Sequence, residues 1–541
     1  MNMVLLIILA TLATAGRVLG LILISIVTGW FLAYLAIKGK FFENIYIALI
    51  EVFESVPVIS FFPIVLIIFV TRIGGPLGVE LAADFLVFTA VVWNIWMGEY
   101  QAFKTVPKEM IEVADNYRMS FLSRMARIYI PFSYPRIAAN LFPSVSDGFF
   151  YITVSEVFTV GIHTYATFGI GSVLDSLAPT GKTNYVYLAL LVLAVVIGAI
   201  IYILREFSRY VVSKYTIDTD APIIRRGRLS VKQTTRILSV IATNPLSRLA
   251  GYYRSRYPGQ NSEVFEKDEY PQRKIGSYVM SGIGIIILIL LVYSAYSVIS
   301  ATPTALWHKL VSITPRIVVY LLYDYGRVAT ILVVSFIISI FLGYSLAIHT
   351  RAEGIGVPLL QVLSAYPPPI YFPFVFAASY TWIHNLMGPV TNEFFVIGLG
   401  FISTFYYMFY SFWMGVKALP SEYFEVMKNL NLGFFKKMRM IILPGTFPYL
   451  ISGISSTINS AWGGLMIGEY WPDIVGDKTL QIHYGIMKFI DIQTEAGNIA
   501  YAGWASFIFG IVVVIYSILF TRRMMDLARK RYVAEEGLFA A

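Results

Sequence analysis

The chain is 541 residues long, with 57% hydrophobic residues, 13% charged ones and a mean hydropathy of +0.70, where soluble domains carry about 25% charged side chains. That balance excludes a soluble or disordered protein and leaves an integral membrane protein. Zero cysteines exclude disulfides, thiolate metal sites and thiol nucleophiles, and most of the formal net charge of +9 is confined to one internal segment.

Apolar runs of about 20 residues recur along the chain, each long enough to cross roughly 30 Å of hydrocarbon as a helix. They are continuous rather than alternating, which points to helices and not to barrel strands. Met1 to Ala15 is apolar but lacks a basic leader and is read as part of the mature protein. Spans are expected near 17–37, 53–71, 83–101, 136–160 and 185–204, then near 277–299, 327–348, 361–381, 393–415, 448–470 and 500–520, about 11 in all. Arg17 matches Arg327, Pro57 matches Pro367 and Pro63 matches Pro373 at a shift of 310 residues, which becomes 313 further on. The 277–299 run has no partner, and an extra crossing is what a parallel duplication of a five-span unit requires.

Three regions follow: 1–204, a first repeat; 205–276, a linker; and 277–541, a second repeat. From Arg205 to Ile275 the linker holds 14 Lys and Arg against 7 Asp and Glu, with Pro222, Pro245, Pro258 and Pro271 and little apolar periodicity. It reads as a mostly irregular connector touching anionic lipid headgroups. Basic residues also gather in both repeated polar segments and at Arg522, Arg523, Arg529, Lys530 and Arg531. The positive-inside rule then sets linker and C-terminus in the cytoplasm and the N-terminus outside, and it accounts for the charge without nucleic acid.

Lys104 to Pro135 aligns without a gap on Lys417 to Pro448, 313 residues later. Apolar residues at helical spacing (Val113, Tyr117, Phe121; Val426, Leu430, Phe434), an interruption and a closing proline pair predict a short helix, a turn, a second short helix and re-entry into the membrane. Such a pair is either a membrane-surface hairpin or a docking element for a soluble partner.

In the second copy Glu425-Val426-Met427, Asn431 and Ile441-Ile442-Leu443-Pro444 keep the spacing E-A-A-x-x-x-G-x(9)-I-x-L-P; in the first, Glu112-Val113-Ala114, Arg118 and Ile128-Tyr129-Ile130-Pro131 keep it too. This resembles the coupling motif of binding-protein-dependent ABC importer permeases. The resemblance implies an all-α membrane protein made of two tandem repeats of the MetI-like permease fold, related by a pseudo-twofold axis. It implies docking of two ATPase subunits on Glu112, Val113, Ala114, Arg118 and Phe121, and on Glu425, Val426, Met427, Asn431 and Phe434, over 112–124 and 425–437. ATP and Mg would be bound in those partners and no cofactor in this chain; an external solute-binding protein would deliver the cargo at the plasma membrane. Arg118 and Asn431 replace the motif glycine. Because Arg adopts a left-handed conformation poorly, the first copy is expected to turn differently or dock less tightly, and charge reversal at Glu425 to cost more docking than at Glu112.

The chain itself reads as a transport subunit and not an enzyme. Gly181-Lys182-Thr183 has Ser176 where a phosphate loop needs glycine, and the five His show no metal-ligand spacing. Ionisable and polar residues at membrane depth give the pathway candidates: Asp147 and Glu156 in the first half, Asn459, Ser460, Trp462 and Glu469 in the second. Glu156 and Glu469 are equivalent under the 313-residue shift and either line a gate or order the outer end of a helix. Pro57 and Pro63, with Pro367, Pro368, Pro369 and Pro373, are hinge points or structural kinks. The residues Tyr406 to Trp413, Leu443 to Pro448 and Gly468-Glu469-Tyr470 resemble duplicated permeases of the nitrate, sulfonate and taurine group, which implies a small anion as cargo. A fused permease for sugar, iron or thiamine and a secondary transporter working without ATPases are the alternatives.

Overall fold

The computed structural model describes residues 3–55, 58, 65–160, 163–177, 183–215, 303–475, 478–516 and a few positions up to 527. The expected span at 277–299, Pro57, Pro63, Gly181, Lys182 and all of the linker after Tyr215 lie outside the described residues.

The first half opens on the helix Met3–Lys38, followed by Lys40–Ser55, a π-helix at Leu66–Ile73 and the helix Gly75–Lys104. After the polar segment come Ile130–Ser155, a β-hairpin, the short helix Ile170–Leu177 and the helix Thr183–Tyr215. The second half repeats this order with Thr304–Ile348, Thr350–Ala365, Pro368–Met387, Thr391–Ala418, Phe447–Gly468, a second hairpin, Ile486–Glu495 and Ile499–Tyr516. Six stretches among the described residues are long and apolar enough to cross a membrane, or seven with the pair Phe434–Gly445 and Phe447–Gly468, which is bent by 80°. One of the six, Pro368–Ala418, contains two of the helices above.

Several expected boundaries move. The span placed at 136–160 ends at Ser155, because the next residues pair as antiparallel strands, Val157–Val160 with His163–Ala166. The span placed at 448–470 likewise ends at Gly468, before Tyr470–Val475 pairs with Lys478–Gln481. The span placed at 361–381 is two helices, since Pro367 holds Tyr366 extended and Pro368 starts a new helix, a proline being favourable at a first helical position. The helix expected to stop at residue 204 runs on to Tyr215, so the first eleven residues assigned to an irregular linker are helical.

The halves interlock. Thr350–Ala365 packs on Ile130–Ser155 and on Thr183–Tyr215 of the first half, and Ala365 and Ile370 join the first half's apolar core. Tyr366 donates a hydrogen bond to the Leu190 carbonyl at 3.0 Å, and the rings of Tyr187 and Phe374 lie 5.9 Å apart.

Candidate functional site

The polar repeats form the same structure twice. Lys108–Asn116 and Ser421–Asn429 are helices starting just after a proline, which leaves fewer orphan N–H groups to satisfy. Each begins four residues before the expected docking segment. Each ends in the same two-bond turn: Met119 N–H to the Ala114 carbonyl at 3.0 Å with Arg118 N–H to Asp115 at 2.9 Å, and Leu432 N–H to Met427 at 3.1 Å with Asn431 N–H to Lys428 at 3.0 Å. The residue carrying that turn must be left-handed, and Arg118 has φ +45° where Asn431 has φ +46°. The expectation that Arg118 turns differently is therefore corrected: tertiary packing imposes the glycine-type conformation on it. In both copies the chain then passes through four helical residues and a π-turn, at Met125–Tyr129 and Met438–Ile442.

Of the five docking candidates in each copy, one faces inward. Ala114 and Met427 are buried, whereas Glu112, Val113, Arg118, Phe121, Glu425, Val426 and Asn431 are exposed and Phe434 is half-buried. Around the two acids lie apolar side chains open to solvent: Tyr117 at 79% exposure and Leu122 in the first copy, Leu430 at 65% and Phe435 at 78% in the second. Repeated ion pairs tie the start of each polar segment to an earlier helix, Lys104 to Glu43 of Lys40–Ser55 at 2.5 Å and Lys417 to Glu353 of Thr350–Ala365 at 3.0 Å.

Between the halves lies a cavity of about 580 Å³. Its walls obey the repeat: Trp93 and Tyr406, Asn94 and Tyr407, Ser146 and Asn459, and Asp147 and Ser460 all line it and are related by 313 residues, and Glu54 and Ser364 by 310. Tyr407 sits between two equivalent positions. It donates a hydrogen bond to Asp147 at 2.5 Å across the interface, and Ser460 lines the same cavity from its own half. At the end away from the coupling segments, Phe150 and Tyr151 crowd Gly463 of the other half so closely that a Cβ there would collide with the Tyr151 hydroxyl. Among the described lining residues there are two carboxylic acids, Glu54 and Asp147, and no Lys, Arg or His. At an effective dielectric of about 20, an anion roughly 5 Å from one ionised carboxylate meets about 3 kcal/mol of repulsion.

Asp147, Asn459 and Ser460 thus meet in the cavity, while the other three candidates lie elsewhere. Trp462 is buried in the second core, its ring 5.2 Å from Tyr325 and 4.7 Å from Phe509. Glu156 and Glu469 are fully buried behind the wall. Glu156 accepts hydrogen bonds from Thr14 at 2.6 Å and from the Gly171 backbone N–H at 2.6 Å, and pairs with Arg17 at 3.3 Å. Arg17 also pairs with Glu80 and donates to the Phe168 carbonyl at 2.8 Å. Glu469 accepts from the Lys488 N–H at 3.1 Å and stands 3.8 Å from Arg327, which pairs with Asp324 and grips Glu393 at 2.6 and 2.7 Å. Each glutamate therefore ties the β-hairpin that follows it and the short helix after that hairpin to the first helix of its half. Sequence reasoning missed the partners Glu80 and Glu393, although they too match at 313 residues.

Two helical repeats with apolar helices long enough to cross a membrane, a polar cavity between them and a matched pair of polar helix–turn–helix segments define an integral membrane protein built from a duplicated unit. Residues 25–211 and again 335–533 match the family described as binding-protein-dependent transport system inner membrane component, and the chain belongs to that family. A bicarbonate transport system permease protein of Synechocystis sp. is 28% identical over 192 residues, covering 35% of this chain and 68% of that protein. A nitrate import permease protein of Leptolyngbya laminosa is 26% identical over 150 residues, covering 28% of this chain and 50% of that protein.

Proposed function

We propose that this chain is the complete permease of an ATP-driven importer, supplying in one polypeptide the two halves that surround the solute path. Two ATPase subunits would dock, one on Lys108–Asn116 and one on Ser421–Asn429, and an external binding protein would deliver cargo to the opposite face. The linker and C-terminus then lie in the cytoplasm, the N-terminus outside, and the membrane is the plasma membrane. The observation that carries this reading is the duplication of the left-handed turn, with Arg118 and Asn431 at nearly the same φ. Apolar packing holds both turns alike, so the two copies present Glu112 and Glu425 beside exposed apolar side chains in the same way, as a matched pair of docking elements would. A secondary transporter needs no such pair.

Nitrate and bicarbonate in the relatives' names speak for a small anion, and fused permeases for other cargoes would share the same coupling geometry. One observation favours a different cargo charge: the acids in the cavity wall, with no basic residue among the described lining residues.

The test is co-purification of the solubilised chain with ATPase subunits from the same organism, for wild type and the Glu112→Arg/Glu425→Arg double variant. A complex of one chain with two ATPases, lost in the variant, supports the reading. No complex from a well-folded wild-type chain overturns it.

A further inference from the structure

The two halves of the cavity wall differ in one systematic way. Where the first half places a carboxylic acid, the second places serine at the equivalent position: Glu54 against Ser364, and Asp147 against Ser460. A duplicated path needing only polarity would be served by serine on both sides, and a carboxylate at membrane depth is costly unless something compensates it. Asp147 has one neutral partner, Tyr407, at 2.5 Å, and no basic residue accompanies it among the described lining residues. The same cavity is also lined by Trp93, Tyr406, Tyr410 and Trp413. Aromatic faces beside a carboxylate attract a positive nitrogen through both the ring quadrupole and direct charge. The volume of about 580 Å³ lies in the range of pockets that hold an organic molecule.

We propose that the central cavity accepts a small organic cation, its positive nitrogen held by the Asp147 carboxylate among these tyrosine and tryptophan rings. This rests on the reading of the cavity as the solute path and replaces a small inorganic anion as its cargo. Tyr407 is a positioning residue: its hydroxyl fixes the carboxylate from the opposite half. Site and half-to-half contact are then the same hydrogen bond, so occupancy of the site and the relative placement of the halves are linked.

The experiment titrates the full chain in lipid nanodiscs by calorimetry with choline chloride, and with sodium nitrate and sodium bicarbonate at matched ionic strength. Choline is expected to bind saturably, weakened about tenfold or more in Asp147→Asn and in Asp147→Ser, which copies the equivalent position in the second half, and by a smaller factor in Tyr407→Phe. Nitrate and bicarbonate are expected to give no saturable signal. Saturable anion binding, choline binding indifferent to Asp147→Asn, or no choline binding to a folded chain each overturns the proposal. Co-purification of the Asp147 variants with the ATPases reports folding and docking separately. Loss of ATPase docking in wild type with Asp147-dependent choline binding intact would sink the importer reading and leave the cation site standing.

Discussion

At the scale of single residues, the turn at position 118 pits side-chain chemistry against tertiary packing, and packing prevails. Arg118 holds φ +45° because Met119 and Ala114, the residues closing the turn, both belong to one apolar cluster, so the backbone has no freedom to relax. Replacing Arg118 by glycine removes a left-handed penalty of about 1 kcal/mol, partly offset by glycine's greater chain entropy. The thermal unfolding midpoint of the isolated chain should therefore rise for Arg118→Gly and stay nearly unchanged for Asn431→Gly; a fall for Arg118→Gly would mean the guanidinium makes a compensating contact. The near-identical turns also remove the reason for ranking the two docking acids. Glu112→Arg and Glu425→Arg are expected to weaken ATPase co-purification equally, within about twofold, and a clearly larger loss at Glu425 would bring the asymmetric reading back.

Between residues and the whole stand the two β-hairpins, and here the sequence was least legible. The membrane-depth signal correctly singled out Glu156 and Glu469 as unusual, but a span cannot reveal whether its end opens into water or folds under a hairpin. Strands as short as Val157–Val160 carry too few residues for an alternation pattern. The repeat itself was legible because it is written in residue identities at fixed spacing. The buried clusters could have been found in the same way, from the matched charges Arg17 and Arg327, Glu80 and Glu393. Because Glu156 accepts from Thr14 and Gly171 and pairs with Arg17, Glu156→Ala leaves a half-buried guanidinium short of a partner, and breaking such a pair costs about 3–5 kcal/mol. Glu156→Gln keeps the acceptor and should cost less. A substantially lower unfolding midpoint for Glu156→Ala, with intermediate loss for Glu156→Gln, is the expected order; equal stability of all three would mean the carboxylate is not what fastens the helix. Gly485→Ala belongs to the same element, since a Cβ there would overlap the Glu469 carboxyl, and should resemble the alanine variant of Glu469.

For the molecule as a whole, the question is whether the cavity at the pseudo-twofold axis is the route of the solute, and the natural lack of cysteine offers a clean probe. Ser456 lines the cavity from the helix Phe447–Gly468. Thr457, the next residue on that helix, is 1% exposed and faces away into the protein. Single Ser456→Cys and Thr457→Cys variants therefore differ by about 100° around one helix and by little else. A small charged methanethiosulfonate reagent should modify Ser456→Cys at least about tenfold faster, because its thiol ionises more readily in a wet polar space than in an apolar one. Alternating access adds a second requirement. Phe150 and Tyr151 pack against Gly463 of the other half toward the end of the cavity away from the coupling hairpins, so reagent is expected to reach Ser456→Cys from one side of the membrane without nucleotide and from the opposite side once the ATPases and ATP are bound. A rate that does not change sides with nucleotide would make the cavity a static pocket, and equal rates at the two positions would remove it from the path altogether.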